Sequence, residues 1–133
     1  MSENLILLED RGTHACITLN RPEAGNRLTG AMLIALQNVL NECAGKYPVI
    51  VLTGAGKSFC EGRDPEETPA VTAQQPGGRI FARQGHLWIE MMEMIRKHPS
   101  VFIAMVNGAA LSDGVALTVS YTHLRAHETR EDL

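Results

Sequence analysis

Three places in the chain set reactive or ligand-holding residue types at suggestive spacing. The first is Gly54-Ala55-Gly56-Lys57-Ser58, which follows the apolar run Val49 to Leu52 and has the look of a loop that cradles phosphate with backbone N–H groups. The spacing argues against that reading. A phosphate loop of this type needs glycine five residues before Gly56, where the chain has Val51, and a helix after the serine, where Phe59-Cys60 reads as extended. The second place is His123 and His127, spaced like a pair of metal ligands on one helical face, but no third ligand accompanies them and no metal is expected. The third is Ser112-Asp113-Gly114. Ser112 is of helix N-cap type, and a helix starting at Asp113 would turn its first N–H groups toward an anion. The Asp113 carboxylate suits acid–base work, yet capping and dipole pairing at a helix start account for it more simply.

These residues need a framework. Leu5 to Leu8 and Ala15 to Leu19 are short apolar segments on either side of a polar turn containing Gly12, which reads as a β-hairpin. Arg21-Pro22-Glu23-Ala24-Gly25-Asn26 ends it, because proline fixes φ and removes a ladder donor. Leu28, Met32, Leu36, Val39, Leu40 and Cys43 then recur at helical spacing, with Thr29 as N-cap and Gly45 and Pro48 as stops. Val49 to Leu52 reads as a strand buried on both faces, hence part of a parallel sheet. Ser58 to Cys60 is extended, and residues 61–78, with three prolines, read as a flexible loop. Phe81, Trp88, Met91, Met92 and Ile95 mark a second amphipathic helix ending at His98-Pro99, where His98 is expected to meet the helix's C-terminal dipole. Val101 to Val106 is another buried strand, closed by Asn107-Gly108. The order is a ββα unit twice over and then a further strand, an α/β layered fold.

Composition narrows the functional classes. The 133 residues suit one domain, and 44% hydrophobic with 20% charged residues is the balance of a soluble globular chain. Twelve Lys and Arg against fifteen Asp and Glu give a formal charge of −3, too acidic and too mixed in sign for nucleic-acid binding. Cys16, Cys43 and Cys60 form no C-x-x-C pair, and their odd number fits reduced thiols in the cytoplasm. The first ten residues lack the basic and apolar regions of a signal peptide, and no apolar run approaches the ~20 residues that span a bilayer, so no membrane association is expected.

Three blocks, in order, carry a family resemblance: Ile17-Thr18-Leu19-Asn20-Arg21-Pro22, then Leu52-Thr53-Gly54-Ala55-Gly56-Lys57-Ser58-Phe59-Cys60-Glu61-Gly62-Arg63-Asp64, then Ile103-Ala104-Met105-Val106-Asn107-Gly108-Ala109-Ala110-Leu111. Together they resemble the crotonase (enoyl-CoA hydratase/isomerase) superfamily, over essentially Leu5 to Leu117. Members are about twice this long, so the resemblance implies the N-terminal half of a crotonase-like acyl-CoA-binding domain over residues 1–117: a truncated spiral of ββα repeats. From Thr118 onward the sequence resembles a translated sequencing-library adapter, and residues 118–133 are expected to be a non-native tail.

The resemblance also implies a chemistry. Crotonase-type enzymes bind acyl-CoA thioesters and stabilise an enolate-like oxyanion with two backbone N–H groups, donors that need no reorganisation as charge develops. Carried onto this chain, those donors are the N–H of Arg63 and the N–H of Asp113, and Ala24, Leu28, Gly62, Arg63 and Asp64 fall on positions lining the CoA and acyl channel. Arg21 either meets a CoA phosphate or is solvated beside its turn, and Cys60 is a small buried hydrophobe rather than a nucleophile. No metal or redox cofactor is implied; acyl-CoA is the substrate. The full-length protein is expected to be a homo-oligomer, a trimer or a pair of trimers. Two departures stand out. Ser112 and Asp113 replace glycines usual in the family, and Ala116 stands where hydratases carry a catalytic glutamate, although a methyl group moves no proton. The general base is then expected beyond Leu117 and the chain by itself to be inactive. The alternative is a crotonase-fold module that holds CoA or a partner without turnover.

Overall fold

A computed structural model describes residues 4–64, 76–111 and 114, with residues 76–85 as backbone alone. Strand β1 (Ile6–Asp10) turns back through Gly12 onto β2 (His14–Leu19), and the hairpin pairs Ile6 with Leu19 and Asp10 with Ala15. The turn needs Gly12 at φ 83, and its N–H is held by the Asp10 carboxylate at 2.8 Å. A single 3₁₀ turn (Pro22–Ala24) leads to α1 (Gly30–Cys43), which starts where Thr29 accepts the Met32 N–H at 3.1 Å, as a threonine N-cap does. Then come β3 (Val49–Gly54), β4 (Ser58–Cys60), α2 (Pro76–Lys97), β5 (Val101–Ala104) and β6 (Ala109–Ala110).

The main sheet has the order β1-β2-β3-β5, with β2, β3 and β5 mutually parallel and the two helices as crossovers. In register, Ala15, Ile50 and Phe102 form one row and Ile17, Leu52 and Ala104 the next. All six are buried, and they meet Met32, Leu33, Leu36 and Leu40 of α1 and Met91 and Ile95 of α2. One core therefore lies between one sheet face and the two helices, as the period-2 and period-3.6 patterns require.

Four expectations are corrected. β3 is not buried on both faces among the described residues: Ile50, Leu52 and Gly54 are buried, whereas Val49, Val51 and Thr53 are half-buried. β5 ends at Ala104 rather than Val106, and Met105, Val106 and Leu111 are exposed. α2 begins at Pro76, inside the segment read as loop; proline is favoured in a helix's first turn, where its missing N–H costs nothing. The His98 ring bonds outside its own helix, while its backbone N–H donates to Ile95 C=O at 3.3 Å. Its Nδ1 accepts the Ser100 N–H at 3.2 Å, which leaves Nε2 to donate to Leu40 C=O in the last turn of α1 at 2.8 Å. The expected mobility of residues 61–78 falls largely on residues outside the described ones.

The two ββα units also differ in geometry. β4 leaves the main sheet and pairs with β6 in a separate two-stranded parallel sheet, Ser58 with Ala109 and Cys60 with Ala110. That departure brings the segment after β4 beside the segment after β6.

Candidate functional site

The segment Cys60 to Asp64 runs between two others. On one side Glu61 N–H donates to Gly25 C=O at 3.0 Å, Leu28 N–H donates to Gly62 C=O at 2.8 Å, and Asp64 N–H donates to Leu28 C=O at 3.0 Å. Leu28 and Arg63 thus face each other in an isolated parallel bridge. On the other side Leu111 N–H donates to Cys60 C=O at 2.9 Å. The bridge fixes a direction. A trans peptide turns its C=O and the following N–H opposite ways, and the Gly62 carbonyl is aimed at Leu28; the Arg63 N–H therefore points away from Leu28. Gly62, at φ 103, adopts a backbone that side-chain-bearing residues avoid.

On either side of β6, Gly108 and Gly114 approach the ends of β4 at backbone range. A Cβ placed on Gly114 would lie 1.9 Å from the Cys60 carbonyl oxygen, and one on Gly108 would lie 1.8 Å from that of Lys57. Only glycine lets the two segments pack this closely, and Gly114 N–H in turn donates to Leu111 C=O at 2.8 Å.

Polar side chains knit the loops together. Asn26 is fully buried at φ 56, an αL conformation that asparagine tolerates. Its Oδ1 accepts the Arg21 N–H at 2.7 Å, and its Nδ2 donates to Ala55 C=O at 2.9 Å and Ser58 C=O at 2.8 Å. From the opposite direction Asn107 accepts the Gly54 N–H at 3.1 Å and donates to Gly56 C=O at 3.1 Å and Ser58 C=O at 3.2 Å. The Glu61 carboxylate accepts the Ser58 hydroxyl at 2.5 Å, lies 3.5 Å from Arg27, and packs against Gly25, where any Cβ would strike it. Arg21 Nη1 lies 2.7 Å from Asp64 Oδ2 and donates to Arg27 C=O at 3.1 Å. The Cys60 thiol is buried and donates to Gly62 C=O at 3.8 Å.

Comparison with known proteins decides the affiliation: the enoyl-CoA hydratase/isomerase family matches residues 9–122. The chain belongs to that family. It is similar to the short-chain-enoyl-CoA hydratase of Clostridium acetobutylicum, 35% identical over 123 residues, which cover 90% of this chain and 45% of that protein. Among solved structures, an enoyl-CoA hydratase from Mycobacterium smegmatis superposes with a TM-score of 0.81 at 32% identity, and one from Bacillus anthracis with 0.80 at 30%. Each comparison covers 90% of this chain and 46% of the other. The fold is accordingly the α/β crotonase type, and the chain spans a little under half the length of the relatives it matches.

Within this enoyl-CoA hydratase/isomerase chain, the structure brings Leu28, Gly62, Arg63 and Asp64 into one bridge. Ala24 lies half-buried in the 3₁₀ turn just before it. Asp113, Ser112 and Ala116 lie outside the described residues, as do His123, His127 and the whole of 118–133. Arg21 is not simply solvated beside its turn. It is ion-paired to Asp64, because a guanidinium bonds a nearby buried carboxylate in preference to water-exposed alternatives. Asn26, Asn107 and Glu61 were not singled out as site residues from sequence. The Gly25-Asn26 and Asn107-Gly108 dipeptides are turn signals that mark the two asparagines; nothing local marks Glu61. No three His, Cys, Asp or Glu side chains cluster as metal ligands among the described residues, and no helix there is long and apolar enough to cross a membrane.

Proposed function

We propose that this chain supplies the thioester-polarising part of an acyl-CoA hydratase- or isomerase-type active site. The substrate carbonyl oxygen is held by the N–H of Arg63 and the N–H of Asp113 as negative charge develops on it. The observation that carries this reading is the Gly62–Arg63 peptide: its carbonyl is occupied by Leu28, so its N–H is aimed elsewhere. The close approach of Gly114 to Cys60 supports convergence of the second segment on the same region. Backbone donors fixed in this way lose nothing to reorganisation, and one such donor is worth about a hundredfold in rate or more. No metal or redox cofactor enters the reading, because N–H groups alone polarise the carbonyl. Three buried cysteines with no disulfide among them support a reducing compartment, which we take as the cytoplasm, and a trimer or pair of trimers is the assembly proposed for the full-length enzyme.

The test separates backbone from side chain. The carbonyl of a ¹³C-labelled crotonyl-CoA is followed by isotope-edited infrared spectroscopy on binding to the 133-residue chain. Binding lowers the stretching frequency; Arg63→Ala, which keeps the N–H, preserves the shift, and Arg63→Pro, which deletes it, abolishes the shift. Bound thioester with an unshifted carbonyl defeats the proposal.

Ala116, at the position where hydratases carry a glutamate, favours a second reading: a non-catalytic CoA-binding or interaction module. Full-length protein that binds acyl-CoA but neither hydrates crotonyl-CoA nor migrates its double bond would establish it.

A further inference from the structure

Gly62 is the weak point of the oxyanion turn. With no Cβ and a φ of 103, it opposes rotation of the Gly62–Arg63 peptide less than any other residue, and a flip of that peptide would turn the Arg63 N–H toward Leu28. Something outside Gly62 must hold the peptide. On its N-terminal side the hold is visible in the carbonyl, which accepts both Leu28 N–H and the Cys60 thiol. On its C-terminal side the next fixed group is Asp64, whose N–H bonds Leu28 C=O and whose carboxylate lies 2.7 Å from Arg21 Nη1.

We propose that Arg21 and Asp64 are a positioning pair that sets the direction of the Arg63 N–H. Arg21 suits the task because it is anchored at two points besides Asp64. Its own N–H donates to the buried Asn26, its guanidinium donates to Arg27 C=O, and the same nitrogen holds Asp64. The pair is sheltered, with the Asp64 side chain 9% and the Arg21 side chain 24% exposed, so water screens it less than a surface pair. Pinning the Asp64 side chain restricts the backbone on which the Arg63–Asp64 peptide turns. Arg21 and Asp64 thereby act through Arg63 and need not touch the thioester themselves. The proposal rests on the reading of Arg63 as an oxyanion donor.

The experiment uses the 133-residue chain, ¹³C-labelled crotonyl-CoA, isotope-edited infrared spectroscopy and a parallel binding titration. Asp64→Asn removes the charge pairing with little change of shape, and Arg21→Gln removes the guanidinium together with its bond to Arg27 C=O. The expected result is loss of at least half of the carbonyl shift in both variants, with affinity changed by less than about threefold, and recovery of most of the shift in Arg21→Lys. In the full-length enzyme the same variants lower kcat by about tenfold to a hundredfold with little change in KM, the signature of misplaced transition-state donors. A full shift in a folded Arg21→Gln or Asp64→Asn protein overturns the pair's role while leaving the oxyanion reading intact. An unshifted carbonyl in the unmodified chain overturns the oxyanion reading and this proposal with it. The two variants are independent, so failure of one to fold leaves the other decisive.

Discussion

Replacing Asn26 by alanine removes three hydrogen bonds from a side chain with no exposure to water. Their partners do not suffer equally. The Ser58 carbonyl keeps its bond from Asn107, whereas the Arg21 N–H and the Ala55 carbonyl lose the asparagine partner. Two buried or half-buried groups left this way cost about 1 to 3 kcal/mol each, with the lower half of that range appropriate because both residues are partly accessible. Alanine at φ 56 adds roughly 1 kcal/mol of backbone strain that asparagine carries more easily. The total, about 3 to 5 kcal/mol, is a large share of the ~5–15 kcal/mol that holds a domain of this kind together. Asn26→Gly separates the two terms, since glycine accepts positive φ freely and loses only the hydrogen bonds and some chain entropy. Urea unfolding followed by circular dichroism gives both values. A loss below about 1 kcal/mol for Asn26→Ala, or a glycine variant less stable than the alanine one, would refute the account of this clasp.

Two further outcomes are expected. Gly108→Ala should destabilise far more than Gly12→Ala: the first drives a Cβ to 1.8 Å from a backbone oxygen, whereas the second meets nothing within 4 Å and suffers only the strain of φ 83, about 1 kcal/mol. Thermal melts of the two variants side by side check this, and equal losses would count against the close approach of the two loops. Burial raises the Cys43 thiol above its ordinary range, helped by Glu42, and burial followed by the hydrogen bond to Asp10 raises Tyr47. Both groups hold their protons more tightly when folded, so their contribution is complete at neutral pH and is lost as pH rises from about 9 upward. Chemical denaturation between pH 7 and 11 should show that decline, and Cys43→Ala should flatten its earlier part.

Part of the architecture was readable residue by residue. Thr29 announced the start of α1 because a hydroxyl that caps the first turn acts within three residues of itself, and the apolar run Val49 to Leu52 announced β3 but not which of its faces is buried, because every residue in it is apolar and packing chose Ile50 and Leu52. The Gly62-Arg63-Asp64 turn was located through its family pattern. The clasp around it was not legible: Asn26 reads in sequence as one more polar turn residue, and Arg21 as a CoA-phosphate contact or a solvated charge beside its turn.

The chain's own order of residue types determined where strands, helices and sharp turns form, since propensity, periodicity and φ preference act over a few neighbours. Tertiary structure alone decided that β4 leaves the main sheet to meet β6, that Leu28 bridges Arg63, and that Arg21 closes on Asp64. Those are meetings between segments far apart along the chain. Their geometry comes from how the layers pack, and with it the direction in which the Arg63 N–H points.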